Sequence, residues 1–474
     1  MAGETLHWLG GAWRTFPGAP IELRSPIDGE SLTHYVEAPA SAAAETAAAA
    51  AAASDPLWAY SPAERCAALR DLADRLEADT SALAAAITRE NGCPARQAPA
   101  LQVGSAVALL RAMADIGENF AFGDERPGAR GGRVRVDKLP AGPALGIVPW
   151  NVPLFLACAK LAPALIAGCP IVLKPSPENA LSMARFARHL AALALPPGAV
   201  NLLLGGRELG AALVEEPAIA KVSFTGSTAA GRRVGEACAK RLARCTLELG
   251  GKSAALFLDD AELDTVHEQL LLAMLQNNGQ VCGAQSRLLL PRARYRAFRD
   301  ELGTLFDALR VGDPRHPETD IGPVISAPQA RRIEGMVERA RAAGARAVSG
   351  GDRRSPGPAW VTPLLAEGLE PAAELCREEV FGPVVVILPY DSEDEAVALA
   401  NDSPYGLSGS VWSADVERAA GEAARLRTGS VGINSKKILD FAAPFGGFRD
   451  SGVGREMGPE GVDGYLEARA TLLP

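Results

Sequence analysis

Two side chains in this chain have both the chemistry and the setting for covalent work. Cys282 stands in Gln280-Val281-Cys282-Gly283, just after Asn277-Asn278-Gly279. A cysteine in such a Gly-rich loop is reachable by substrate, and its own backbone N–H can face an anion formed there. Glu248 stands in Leu247-Glu248-Leu249-Gly250-Gly251-Lys252-Ser253, at the end of an apolar run. A carboxylate in that place can serve as a general base. A third side chain, Asn151 in Pro149-Trp150-Asn151-Val152-Pro153, offers an amide donor to an oxyanion. Taken alone, that last segment reads equally well as a Pro-bounded turn.

The other thiols look inert. The eight cysteines are scattered and form no C-x-x-C pair, which fits a reducing cytoplasm and neither a disulfide scaffold nor a zinc site. No metal is therefore expected. Apolar or helical neighbours mark Cys66, Cys158, Cys169, Cys238, Cys245 and Cys376 as core residues. A cysteine hydrolase would need a histidine partner, and the five histidines sit in no recognisable motif.

These residues must be held by an α/β framework. Short apolar runs near 143–148, 170–174, 199–204, 219–224 and 244–249 alternate with helical segments near 153–167, 178–194, 207–215 and 227–241. That alternation predicts a parallel, doubly wound sheet with crossover helices. A second α/β series follows, with helices near 262–278, 291–309, 328–343 and 414–427 and strands near 285–290, 383–388, 408–412 and 430–433. Upstream, the Ala-rich helix has Ser41 as its N-cap. Further helices cover 62–78, 81–91 and 99–120. A Gly/Arg/Pro-rich break spans Gly123–Arg133. The alternation Arg133-Val134-Arg135-Val136-Asp137 predicts a strand wet on one face, and the C-terminal segment from Gly464 to Leu472 reads as an edge strand.

Composition bounds the partners. At 474 residues the chain is long enough for two or three domains. A net charge of −9 with interspersed signs argues against nucleic acid and against a membrane surface. The very apolar stretch Leu139–Leu173 is broken by prolines, Asn151 and Lys160, so a buried strand–helix–strand unit is expected there. The segment Met1–Arg14 lacks the pattern of a signal peptide.

Other motifs sit where ligands collect in such sheets, at the strand carboxyl ends. In Lys174-Pro175-Ser176-Pro177-Glu178, Ser176 fits an N-cap and Pro177 a first helical turn, while Lys174 has no structural explanation. Phe224-Thr225-Gly226-Ser227-Thr228 opens from a strand into a helix N-terminus, which suits an anion. The dinucleotide fingerprint G-x-G-x-x-G is absent there, and Gly250-Gly251-Lys252-Ser253 lacks the first glycine of a phosphate loop. Glu379-Val380-Phe381-Gly382-Pro383 precedes an apolar strand, and the segment 444–452 is Gly-rich.

In their order, P-W-N-x-P, K-P-S, F-T-G-S, E-L-G-G-K-S, G-Q-x-C, E-x-F-G-P and P-F-G-G resemble the aldehyde dehydrogenase superfamily across nearly the whole chain. The resemblance implies a nicotinamide-cofactor domain from 1–121 and 140–247 and a catalytic domain from 248–442. Strands in 122–139 and 455–474 would form an oligomerisation ribbon, and 443–454 a connection. It implies a homodimer or homotetramer, NAD as cofactor with NADP possible, and a small-molecule aldehyde as substrate. Cys282 would attack the aldehyde, Asn151 would hold the oxyanion, and Glu248 would activate water against a thioester. Trp150, Lys174, Ser176, Gly226, Ser227, Gly250, Glu379 and Phe381 would bind the cofactor. Val152, Leu156, Ala159, Val281, Gly283, Leu439 and Phe445 would line the substrate tunnel, together with Asn434.

Two departures bear on specificity. Pro177 stands where many NAD-preferring relatives have Glu, yet no Arg in 174–180 is present to clamp a 2′-phosphate. NAD is therefore the expected cofactor. Val152, Ala159 and Gly283 are small at tunnel positions, which predicts medium-chain or aromatic aldehydes. A CoA-acylating relative is the first alternative, and Glu248 speaks against it. A non-catalytic structural subunit is the second, and the intact Cys282, Glu248 and Asn151 speak against that.

Overall fold

Short apolar runs bounded by Gly and Pro become the strands of two sheets in the computed structural model, which describes residues 7–263, 267–350 and 357–474. In the first sheet β1 (Ala144–Val148) leads into helix α1 (Pro153–Ala167), and β2 (Ile171–Pro175) into α2 (Ala180–Ala191). β3 (Val200–Leu202) leads into α3 (Arg207–Glu215), β4 (Lys221–Thr225) into α4 (Thr228–Lys240), and β5 (Arg244–Glu248) ends the series. The strands lie in the order β3-β2-β1-β4-β5 and run parallel. Winding therefore reverses between β1 and β4, which opens a crevice at their carboxyl ends. Trp150-Asn151, Gly226-Ser227 and Glu248 all follow or end strands at that rim.

Parallel strands covered on both faces need no polar alternation, and β2 and β4 are buried throughout. Helix α1 is buried at every residue except Leu156. This explains why 139–173 is so apolar without spanning a bilayer. Among the described residues one helical stretch, Pro99–Asn119, is long and apolar enough to cross a membrane, and 50% of it is buried inside the fold.

The sheet is parallel only at its heart. His7–Leu9 pairs antiparallel with β3, Ala12–Arg14 adds beyond it, and Gly452–Val453 pairs antiparallel with β5. The short strand-like pieces expected within residues 1–40 include these two N-terminal strands.

The second sheet holds β6 (Ala254–Phe257), β7 (Arg287–Pro291), β8 (Leu364–Glu367), β9 (Val384–Tyr390), β10 (Ser408–Trp412) and β11 (Ser430–Ile433). Their order is β8-β9-β7-β6-β10-β11, all parallel, with Arg346–Ser349 antiparallel on β8. The helix expected over 262–278 is α5 (His267–Leu275), with 264–266 outside the described residues. Helix α6 (Ala327–Ala342) is capped by Ser326, whose hydroxyl accepts from Gln329 N.

Two local expectations need correction. Ser41 does not cap the Ala-rich helix; it lies inside a 3-10 turn, Ala40–Ala42, ahead of Ala43–Ala52. The break at Gly123–Arg133 contains a strand, Gly123–Pro127. Its ladder with Arg133–Pro140 supplies the order that its composition does not. Arg133–Pro140 pairs on its other side with Leu466–Leu473 in antiparallel register, from Leu466 opposite Pro140 to Leu473 opposite Arg133.

Candidate active site

The loop that carries Cys282 follows α5 through a 3-10 turn, Gln276–Gly279, in which Asn277 (φ 51°) and Asn278 (φ 62°) are left-handed. Asparagine tolerates that conformation better than most residues. The loop then passes so close to Gly251 that a Cβ there would stand 2.5 Å from the Cys282 carbonyl oxygen. Gly251 is thus a clearance for the cysteine loop. Cys282 is half-buried and has no disulfide partner. Its dry surroundings, then the carboxyls of Glu379 and Glu248, push its thiol up to about 12.

Asn151 and Cys282 line one cleft of about 300 Å³, together with Trp150, Gly226, Ser227, Gly250, Glu379 and Phe381. Asn151 Nδ2 donates to Gln280 O at 2.9 Å. An amide carries two N–H donors, so one remains for a substrate oxygen.

Glu248 ends β5 and is buried, and neither of its carboxyl oxygens has a hydrogen-bond partner. Burial first, and then the charge of Glu456, raises its pKa well above the usual carboxylate range. Glu456 belongs to a buried ion pair that sequence reading missed. Lys160 Nζ lies 2.7 Å from Glu456 Oε1, with side-chain exposures of 0% and 4%. Lys160 also donates to Thr225 Oγ1 at 2.7 Å, and Ser223 Oγ donates to Glu456 at 2.7 Å. A lysine inside an otherwise apolar α1 was the visible signal. Glu456 offered none, because it lies far along the chain.

The residues expected to bind a cofactor divide into two groups. Gly226 and Ser227 open α4, where Ser227 Oγ caps the helix by accepting from Ala230 N at 3.3 Å. Trp150 and Phe381 meet edge to face with centroids 5.3 Å apart, and Phe381 is held at φ 55°, an unusual conformation for an aromatic residue. A Cβ on Gly250 would stand 2.6 Å from the Glu379 carboxylate, so the floor of the cleft is shaped by the lack of a side chain. Glu379 accepts from Gly251 N at 3.1 Å, and burial pushes its carboxyl up to about 7. Arg332 of α6 donates to Glu379 O and Val380 O, each at 2.8 Å, and so holds that loop in place. It was not foreseen from the sequence.

Lys174 and Ser176 form the second group, at the end of β2, and neither lines the cleft. Burial lowers Lys174 to about 8, against the carboxylates of Glu178 and Glu37. Ser176 makes no N-cap bond; its hydroxyl donates to the Glu178 carboxylate instead.

Of the expected tunnel residues, Val152 precedes α1 and Leu156 and Ala159 lie on it. Val152 and Ala159 are buried, Leu156 is half-buried, and Cys282, Leu439 and Phe441 pack against the same core as Phe445. Phe155 and Phe441, absent from the expected set, stand 6.1 Å apart between ring centroids. The space expected at Gly283 is not open, because a Cβ there would overlap Ile438 Cδ1. Asn434 is committed elsewhere: its amide donates to Ser413 O at 2.8 Å and accepts from Ser413 N at 2.9 Å.

The family model described as the aldehyde dehydrogenase family matches residues 13–471. Geranial dehydrogenase of Castellaniella defragrans is 42% identical over 406 residues, 85% of this chain and 84% of that one. The 3-succinoylsemialdehyde-pyridine dehydrogenase of a Pseudomonas species is 40% identical over 414 residues, 86% of each. Among solved structures, the Mycobacterium tuberculosis aldehyde dehydrogenase complexed with NAD+ superposes with a TM-score of 0.96 at 38% identity, covering 99% of this chain and 98% of that one.

Proposed function

This chain belongs to the aldehyde dehydrogenase family, and from that premise we propose that it oxidises medium-chain or aromatic aldehydes to their acids with NAD. The observation that carries the proposal is the meeting of Cys282 and Asn151 in one cleft, with the unpartnered Glu248 carboxyl at the end of the adjoining strand. Bound NAD supplies the hydride acceptor. The cleft fits such a ligand: Gly226 and Ser227 present a helix N-terminus to a diphosphate, and Gly250 clears room beside Glu379. Cys282 Sγ bonds the carbonyl carbon as its S–H bond breaks and the proton passes to solvent. Asn151 Nδ2 and the Cys282 N–H hold the carbonyl oxygen as charge builds on it. After oxidation the carbon remains on sulfur as a thioester. Glu248 takes a proton from water, the water oxygen bonds the acyl carbon, and the acid leaves as the C–S bond breaks. We also propose that an outer strand of the three-stranded sheet centred on Arg133–Pro140, Gly123–Pro127 or Leu466–Leu473, pairs with a second copy of the chain, since an open edge is otherwise an aggregation hazard.

NAD is expected to outperform NADP. The Glu178 and Glu37 carboxylates flank Lys174 and would repel a 2′-phosphate. Comparing kcat/KM for the two cofactors at one aldehyde concentration checks this, and a clear NADP advantage would reverse the assignment.

Substrate size is the finer question. We place the apolar tunnel beside Val152 and Ala159 at the start of α1, where burying a longer chain would gain about 0.8 kcal/mol per CH₂. The geranial and pyridyl substrates named for two relatives support a larger apolar aldehyde. Hexanal or benzaldehyde is expected to exceed acetaldehyde in kcat/KM, with succinic semialdehyde as an anionic probe. Because Ile438 fills the space at Gly283, Ile438→Ala should raise the hexanal-to-acetaldehyde ratio further, by about tenfold. A wild type that prefers acetaldehyde, or the anionic probe by tenfold or more, would defeat the apolar-tunnel reading.

A further inference from the structure

We infer that Gln102 and Asn91 are positioning residues for the oxyanion donor Asn151, acting through its peptide group; the inference rests on the role given to Asn151 above. The Asn151 carbonyl oxygen accepts three side-chain amides at once: Asn91 Nδ2 at 3.1 Å, Gln102 Nε2 at 3.0 Å and Asn277 Nδ2 at 2.9 Å. All three side chains are buried. A carbonyl has two lone pairs, so three converging donors are more than satisfaction of that oxygen requires. The preceding carbonyl, Trp150 O, accepts from Asn179 Nδ2 at 3.2 Å and from Asn91 Nδ2 at 3.4 Å. Asn91 Oδ1 accepts from Cys93 N at 2.9 Å, which fixes the amide so that its NH₂ faces the two carbonyls.

The donors come from separate elements. Asn91 ends the helix Thr80–Asn91, and Gln102 lies in a π-helical turn, Pro99–Gly104. Such wide turns are rare and concentrate at functional sites. Asn277 belongs to the nucleophile loop, and Asn151 Nδ2 returns a bond to Gln280 O of that same loop at 2.9 Å. One buried amide network therefore joins the oxyanion donor to the nucleophile. Two helices that do not line the cleft hold its outer side. Small errors in such placement are costly, since a displacement of about 1 Å can reduce turnover by about a hundredfold. Gln102 is not among the residues lining the cleft and bonds there only to the Asn151 peptide, so its substitution tests the positioning effect.

The test begins with Gln102→Met, which keeps the volume and removes the donor. Its kcat with hexanal should fall about tenfold, with the KM for NAD changed by less than about twofold. In an Asn151→Ala background the same substitution should cost less than about twofold, because the group it positions is gone. An equal loss in both backgrounds, or no loss in the first, would overturn the inference. Gln102→Glu gives a second reading. Its neutral carboxyl can donate to Asn151 O and its carboxylate cannot, so kcat should be kept at low pH and fall through an ionisation absent from the wild type. A profile of unchanged shape counts against the inference. A crystal structure of Gln102→Met reads the geometry without turnover: the Asn151 peptide should shift and the Nδ2–Gln280 O bond should lengthen. A peptide that stays in place overturns the inference, whereas a shifted peptide in a protein whose wild type oxidises no aldehyde upholds it and counts only against the proposed function.

Discussion

Cys282→Ala is expected to fold and to bind NAD, yet to lose aldehyde oxidation by roughly four orders of magnitude or more. The reason is chemical: no other described side chain lining the cleft can form a thioester. The other thiols offer no substitute. Cys66, Cys93, Cys158, Cys169, Cys238 and Cys376 are buried. Cys245 is half-buried, and a hydrogen bond with Cys238 lowers its thiol to about 6. It nevertheless sits near the amino end of β5, whereas Glu248 ends that strand at its carboxyl end. A thiol on the wrong rim of a parallel sheet cannot reach a ligand held at the carboxyl rim. Folding should survive because the substitution removes a single half-buried sulfur beside an existing cleft. NADH formation and a thermal melt of the purified variant give the two readouts. More than trace oxidation would sink the assignment of Cys282.

Glu248→Gln should separate the two halves of the reaction. Deacylation needs a base for water, and oxidation of the bound aldehyde does not. Rapid mixing with NAD and aldehyde should show a burst of NADH stoichiometric with enzyme. Steady turnover should follow at about a hundredth or less of the wild-type rate. Loss of the burst together with turnover would assign Glu248 another role. The structure adds a pH dependence. Burial and Glu456 raise the Glu248 pKa, so its base form is depleted as pH falls through a value well above the usual carboxylate range. Wild-type kcat should therefore climb with pH through that raised pKa and level off above it. Glu248→Gln should lack this limb. Replacing Glu456 by Gln would lower the pKa of Glu248 by removing the like charge, although it also strands Lys160 in the core, where an unpaired charge is costly.

What the sequence determined by itself was local. Each strand of the first sheet is followed by its crossover helix within a few residues, so the apolar run, the turn residues and the helix start all lie in one window. That locality made the parallel α/β alternation legible and placed Trp150-Asn151, Gly226-Ser227 and Glu248 at strand ends. The Gly residues around Cys282 marked a loop, and the string of motifs identified the family. What only the tertiary structure decided were the meetings of distant residues. Gly283 looked like open space until Ile438 was seen to fill it. The stretch from Arg133 read as a strand wet on one face and the C-terminal segment as an edge strand, and only the ladder shows that they pair with each other. Glu456 bears on Glu248, and Asn91 and Gln102 on Asn151, across gaps that no periodicity spans. The physical reason is common to all of them. Strand and helix preferences act between near neighbours, whereas a buried ion pair, an amide network and a filled cavity exist only once packing has brought remote side chains within contact distance.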